Sequence, residues 1–470
     1  MALIETDLCV IGAGSGGLSV AAGAVQMGAR VVLIEGGEMG GDCLNTGCVP
    51  SKALLAAAKQ AHLMGAGAKF GIAPVEPQVD FGAVHDHVHG VIAGIAPHDS
   101  QERFEGLGVK VLRGMARFTG DDRVAVEGTE VRARRFVIAT GSRAMVPPID
   151  GIADVPYLTN ESLFDLTDLP DHLIIVGGGP IGLEMAQAHR RLGAQVTVIE
   201  AERALGKDDP DAAALVIERL RAEGITLHEG AGVTSVANVP AGVEVCFGEG
   251  QSVTGSHLLL AVGRVPNHDR LDIDKAGIKA DRRGIIVDAG LRSSNRRVYA
   301  VGDAAGGMQF THVAGYHAGI VIRSALLGLP AKAKTDHIPW VTYTDPELAQ
   351  VGLTEAQARD RHGDRVEILT FDYAENDRAR AERDTDGFIK VMVYRGRPVG
   401  ATVVGRQAGE VIQLWALALS AGLKISDVAG MVSPYPTLGE LSKRAAGQYY
   451  TPRLFDSPLV RRIVQFVQKF

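Results

Sequence analysis

A chain of 470 residues exceeds what one hydrophobic core can organise, and its length suggests about three domains. Hydrophobic content of 46%, charged content of 22% and 58 glycines describe an α/β protein rich in tight turns, and a formal net charge of -7 argues against nucleic acid binding. Four cysteines, Cys9, Cys43, Cys48 and Cys246, are too few for a secreted disulfide scaffold and suit a reducing compartment with one special pair.

The chain opens on Met1-Ala2-Leu3-Ile4 and runs into a strand without a basic region and an apolar stretch ahead of it. No signal peptide, no membrane-spanning segment and a cytoplasmic location are therefore expected. Residues 7–35 predict strand, glycine turn, helix and strand. Cys9-Val10-Ile11 is the first strand, Gly12-Ala13-Gly14-Ser15-Gly16-Gly17 the turn, and Arg30 to Ile34 the second strand, ending in Glu35. The glycines allow close approach to a pyrophosphate at a helix N-terminus, and the terminal acid can accept from a ribose.

Next comes Gly40-Gly41-Asp42-Cys43-Leu44-Asn45-Thr46-Gly47-Cys48-Val49-Pro50-Ser51-Lys52, where two cysteines open what reads as one helix. A helix N-terminus favours the thiolate, so a pair that closes into a disulfide and reopens by exchange is the leading reading. A structural bridge or half of a metal site are the alternatives, and no metal is expected.

Val84 to Glu105 predicts a helix and Gly108 to Val126 short strands. Arg135 to Thr140-Gly141-Ser142 is a buried strand ending in a turn, and Pro147-Pro148 begins a connection. The opening pattern then returns. Gly12, Gly14, Gly17, Gly28 and Glu35 have counterparts in Gly177, Gly179, Gly182, Gly193 and Glu200, all at one offset. One such turn is weak evidence, but two complete copies point to two dinucleotide sites.

The first copy leads into the cysteines, so its ligand's reactive ring lies near sulfur, which suits a flavin. The second is left for the nicotinamide. Glu200 favours NADH over NADPH, with Arg203 near enough to soften that preference. Leu258 to Gly263-Arg264-Val265-Pro266-Asn267 closes the second copy, and Val298 to Gly302-Asp303 is another strand ending in an acid. A helix from Thr311 to Leu326 can face the flavin with its N-terminus; His312 at its start is open to a capping or a catalytic role. From about Pro339 the pattern changes to an α+β unit, with strands Phe388–Val393 and Gly400–Val404 before a helix from Glu410 to Ala421, a natural dimerisation domain.

With these motifs the chain resembles the pyridine nucleotide–disulfide oxidoreductases along its whole length. That family includes dihydrolipoamide dehydrogenase, glutathione reductase and mercuric reductase. The resemblance implies a glutathione-reductase-like fold of two Rossmann-like domains plus an α+β dimerisation domain. Residues 1–150 with 268–337 would bind FAD, 151–267 NAD(H), and 338–470 would form the interface. It implies that Cys48 is the thiolate against the flavin, Cys43 the thiol meeting the acceptor, and Lys52 with Glu184 an ion pair beside the reactive flavin nitrogen. Asp303 would hold the ribityl chain. Gly41, Gly114 with Ala116, and Thr140 with Gly141 would contact FAD; Thr311 and His312 would lie beside it. Val233 and Gly263 would line the nicotinamide nucleotide. Pro180 takes the place of the residue that gates the nicotinamide pocket in relatives, and its rigid ring makes a poor swinging gate.

One segment departs. Disulfide reductases of the family carry His-x-His-Pro-Thr-x-x-Glu, reaching the partner subunit's active site; here Ser433-Pro434-Tyr435-Pro436-Thr437-Leu438-Gly439-Glu440 stands instead. Glu440 is kept, but Tyr435 replaces the catalytic histidine. Histidine titrates near 6.5 and tyrosine near 10, so a proton shuttle worth roughly 10²–10⁴ in rate is missing. Weak dihydrolipoamide or glutathione activity is expected. Tyrosine here is reminiscent of mercuric reductases, yet their C-terminal cysteine pair is absent, since no cysteine follows Cys246. The reading is a homodimeric NADH oxidoreductase passing electrons through Cys43 and Cys48 to a disulfide or other small acceptor. A mercuric-reductase-like enzyme, a quinone- or oxygen-reducing diaphorase and a non-catalytic subunit are the alternatives.

The stretch from Ser457 to Phe470 has apolar residues at helical spacing with Arg461, Arg462 and Lys469 on an edge. Packing against the dimer is the expected role, and peripheral membrane attachment the alternative.

Overall fold

A computed structural model describes residues 2–470. Three sheets organise the chain. The first is seven-stranded, built on Ala2–Ile11, with Val31–Glu35 and then Lys110–Arg113 on one side and Thr129–Ile138 on the other. Val298–Ala300 returns from far along the chain to pair in parallel with Thr129–Ile138, and Arg117–Gly120 and Arg123–Val126 complete the sheet. Valine, leucine and isoleucine fill the central strands because helices and loops cover both faces. Leu8, Val10, Leu33 and Val137 are all fully buried, each worth about 1.5–3 kcal/mol.

Register does the functional work. Ile11 pairs with Ile34 and Ile138, and Ile138 pairs with Ala300, so four strands end in one row. The residues just past that row are Gly12, Glu35, the Ala139-Thr140-Gly141 turn and Asp303, which the sheet therefore gathers at one carboxyl edge.

The second sheet repeats the device. Four parallel strands run Thr226–His228, Gln195–Ile199, His172–Val176 and His257–Leu260, and Val176 pairs with both Ile199 and Leu260. Gly177, Glu200 and the turn to Gly263 follow at its edge. Beside it stand Val233–Val239, Gly242–Phe247 and Gln251–Gly255, an antiparallel set. Arg264–Pro266 pairs with Ser142–Ala144 and ties the two units together.

The third sheet is antiparallel, ordered Pro339–Thr342, Glu347–Gly352, Arg397–Gly405, Phe388–Tyr394 and Val366–Asp372. Its core closes on Trp415, which is fully buried with Nε1 donating to Ser442 Oγ at 3.0 Å. Lys390 fastens this sheet to the second unit through Asp209 and Asp211, each at 2.9 Å, with Glu355 at the same distance.

Three expected helices are divided. The stretch from Val84 to Glu105 forms Phe81–Ile95, a tight turn Ala96–His98 and Gln101–Gly106. Pro97 lacks the N–H that a continuous helix needs, and Ser100 caps a fresh start by accepting from Arg103 N. The stretch from Glu410 to Ala421 is Ala408–Val411 followed by Gln413–Ala421. The cysteine helix divides as well: Gly41–Asn45 is a short turn, and the long helix starts afresh at Cys48 and runs to Gly65. Its N-cap Gly47 has no room for a side chain, since a Cβ there would come 2.8 Å from the Asp42 carbonyl oxygen.

Candidate active site

Cys43 and Cys48 are both free thiols, Cys43 half-buried and Cys48 exposed. Cys48 is the first residue of an 18-residue helix, among the N–H groups that have no carbonyl partner. Thr311, first residue of the helix Thr311–Ala325, brings Oγ1 to 3.4 Å from Cys48 Sγ. A hydrogen bond from the Cys43 thiol is the main cause that lowers Cys48 to about 6; Thr311 and the Lys52 charge assist, while partial desolvation and Asp42 oppose. The same bond, with burial, drives Cys43 far upward, so the proton rests on Cys43 and the charge on Cys48. The pair thus shares one proton and one negative charge, unequally.

One turn along, Lys52 Nζ lies 2.8 Å from Glu184 Oε2. Glu184 is nearly buried, and its second oxygen accepts from Tyr343 N at 2.9 Å. The Tyr343 ring covers the Lys52 ammonium at 4.4 Å. Burial and then the Glu347 and Glu184 carboxylates hold the Tyr343 phenol above its usual range, so it stays neutral.

Both glycine turns show the same division of labour. Gly12 and Gly177 take φ of +105° and +115°, which only glycine adopts freely. A Cβ on Gly17 or Gly182 would strike the carbonyl oxygen of Gly12 or Gly177 at 1.8 and 2.0 Å, so these residues close the turn. Gly14 and Gly179 differ: a Cβ at Gly179 would meet nothing within 4 Å, and at Gly14 only the Gly41 Cα at 4.0 Å. The acids are equivalent too. Glu35 accepts from Ala13 N and Gly37 N at 2.5 and 2.6 Å, and Glu200 from Gly178 N and Glu202 N at 2.6 and 2.9 Å.

Residues 6–318 match the family described as pyridine nucleotide-disulphide oxidoreductase, and residues 338–446 match its dimerisation domain. The chain belongs to the pyridine nucleotide–disulphide oxidoreductases. A mercuric reductase of Streptomyces lividans is 36% identical over 459 residues, covering 94% of this chain and 95% of the relative. A dihydrolipoyl dehydrogenase of Geobacillus stearothermophilus is 34% identical over 454 residues, covering 94% and 96%. Among solved structures, the Cu(II) complex of the HOCl-induced flavoprotein disulfide reductase RclA from Escherichia coli superposes with a TM-score of 0.85 at 28% identity, covering 95% of this chain and 99% of that one. The fold is the glutathione-reductase-like one, and the family binds FAD and depends on NAD(P).

This oxidoreductase offers a fitting cradle for that flavin. The open faces of Gly14 and Gly179 leave backbone N–H groups accessible to a pyrophosphate, and Asp303 has the donor hunger that a hydroxylated chain satisfies. Burial raises the Asp303 carboxyl, offset by a hydrogen bond from Ser142 Oγ at 2.5 Å and by Arg264 at 3.9 Å. Gly114 N donates to Glu35 O at 2.9 Å, so Gly114 and Ala116 adjoin the first acid. Val233 begins a strand beside Ala231, whose N–H bonds the Glu200 carbonyl at 3.0 Å.

His312 does not cap its helix. The N-cap is Phe310 without a side-chain bond, while His312 Nε2 bonds the Pro339 carbonyl at 2.8 Å and its ring stacks on Phe310. Within the protomer, among the described residues, no hydrogen bond or ion pair joins Tyr435 or Glu440 to residues 43–52. Tyr435 is 69% exposed and donates to Asp377 Oδ2 at 3.0 Å.

Sequence reasoning missed several participants. Tyr343 sits far from Lys52 along the chain and in no glycine motif. Asp42 accepts from Asn160 Nδ2 at 2.7 Å and pairs with Arg264 at 3.1 Å, bracing the cysteine turn from the second unit. Buried His317 accepts from Gly302 N at 3.2 Å through Nδ1, steadying the turn that carries Asp303. The polar residues Asn160 and His317 had no recognisable spacing, whereas Asp42 and Arg264 stood inside quoted motifs.

Proposed function

We propose that this chain is an NADH-dependent flavoenzyme that sends electrons through Cys43 and Cys48 to a small acceptor. Residues 1–150 with 268–337 would hold FAD, residues 151–267 NADH, and residues 338–470 a second copy. The observation that carries the reading is geometric: Cys48 opens the long helix with Thr311 Oγ1 at 3.4 Å from its sulfur, Cys43 lies in the turn before it, and Lys52, one turn on, is held at 2.8 Å by Glu184.

FAD, when bound, takes a hydride from NADH and supplies two electrons to sulfur. The chain's own residues do the rest. Gly14 and Gly179 leave space for the two pyrophosphates, and Glu35 and Glu200 accept from the two riboses. Glu200 also disfavours a 2′-phosphate, which makes NADH the preferred donor. Lys52 supplies positive charge beside the flavin, fixed by Glu184 and roofed by Tyr343. Two electrons and two protons convert the Cys43–Cys48 disulfide into the two thiol groups, one of which ionises at Cys48. Cys43 then faces the acceptor, with Tyr435 and Glu440 of a partner subunit opposite.

The acceptor is where Tyr435 matters. A disulfide acceptor needs a proton returned to its leaving thiolate, and a phenol hydrogen-bonded to Asp377 is a poor donor at neutral pH. A soft metal ion needs no such proton. The relatives named as mercuric reductases and the Cu(II) complex of RclA support that second reading. Steady-state NADH oxidation with lipoamide, glutathione disulfide, Hg(II), Cu(II) and quinones separates the choices. Thiol-dependent turnover is expected to vanish in Cys43→Ser. Undiminished turnover in Cys43→Ser with every acceptor overturns the proposal and leaves a flavin-only diaphorase.

A further inference from the structure

The proposed electron path leaves the last helix without a task. Thr451–Phe455 and Pro458–Val467 follow the matched dimerisation domain, which stops at residue 446. On a helical projection Leu459, Ile463, Phe466, Val467 and Phe470 share one side, and Arg461, Arg462, Gln465, Gln468 and Lys469 the other. None of the described residues covers the apolar side: Leu459 is 66% exposed, Phe466 61% and Phe470 99%. The Phe466 and Phe470 rings meet edge to face at 5.4 Å, so the tip of this face is aromatic.

The polar side is as distinctive. Residues 457–470 hold three cations and no acid, on a chain whose net charge is -7. Among the described residues none of the three cations joins an ion pair; Arg461 spends its guanidinium on the Phe455 carbonyl at 2.8 Å. A helix of ten residues spans about 15 Å and is too short to cross a bilayer, so it must lie along whatever covers it.

We propose that Pro458–Val467 with Phe470 is an interfacial anchor, lying in the headgroup layer of an anionic membrane with the apolar face inward. Charge decides between the occupants. A second copy of this helix offers three further cations and no acid, whereas anionic headgroups neutralise all three cations. The negative body would be repelled from the same surface, leaving the tail as the point of attachment. The anchor is independent of the electron path and does not stand or fall with it.

Sedimentation of the full chain with phosphatidylcholine vesicles, with and without phosphatidylglycerol, tests this. Each basic residue contributes a factor of roughly five near an anionic surface, so phosphatidylglycerol vesicles should bind at least about tenfold tighter, and less so at high salt. Phe466→Glu should abolish binding, and joint Arg461→Gln, Arg462→Gln and Lys469→Gln should erase the lipid preference, with NADH oxidation and solution mass unchanged. Failure of the unaltered chain to sediment with phosphatidylglycerol vesicles overturns the anchor. A fall in solution mass in Phe466→Glu also overturns it, by making the face an interface between copies.

Discussion

Lys52 and Glu184 stand 132 positions apart in sequence and 2.8 Å apart in space, with the Tyr343 ring over the ammonium and the Tyr343 N–H on the carboxylate. The ion pair is thus one part of a three-residue assembly in which the dimerisation domain's first strand completes a site made by the other two units. Lys52→Met strands a nearly buried carboxylate and, on the proposed electron path, removes the positive charge that would stand beside the flavin. Stopped-flow reduction by NADH should slow by roughly 10²-fold, the size typical of losing one preorganised electrostatic contact. Tyr343→Phe should be close to neutral, because the ring and the backbone donor remain, whereas Tyr343→Ala should slow reduction.

The thiol pair has a definite pH signature. A lowered Cys48 keeps its thiolate above about pH 6 and loses it below. In the reduced enzyme, long-wavelength thiolate absorption should therefore fade with a midpoint near 6. Cys43→Ala removes the largest cause of the lowering and should move that midpoint upward; Thr311→Val should move it the same way by less.

Much of this was legible in the chain. The two glycine turns, their terminal acids and the cysteine stretch announced the fold and the family, because turn geometry and helix ends demand those residues at fixed spacing. What was hidden depends on tertiary contact. Tyr343 reaches Lys52 only once the third sheet docks, and Asn160 reaches Asp42 only once the second unit folds back. The continuous cysteine helix was misread because Gly47, not the apolar pattern, decides where the long helix restarts. Of the two roles open to His312, capping is excluded, because its bonding partner, the Pro339 carbonyl, lies in another unit.

On the proposed electron path, Tyr435 decides which acceptor is reduced. Tyr435→His restores a group that titrates near 6.5 and should raise lipoamide-dependent turnover by about 10-fold or more, within the range general acid–base catalysis supplies. Turnover with a soft metal ion should change little. Steady-state assays of both acceptors on one preparation check this.

Lys390 joins the third sheet to the second unit through two aspartates and Glu355, and Asp209 is fully buried. Lys390→Met leaves the buried Asp209 carboxylate without its cation, held only by Asp211 N and Ala212 N, at a cost of about 3–5 kcal/mol. Chemical denaturation should register that loss.

The most direct measurement is an anaerobic titration with NADH, following visible absorption and counting thiols. One equivalent of NADH per subunit should convert the Cys43–Cys48 disulfide into two titratable thiols and raise a long-wavelength thiolate band that is absent in Cys48→Ser. Bleaching of the flavin with the disulfide intact would contradict the electron path proposed for this chain.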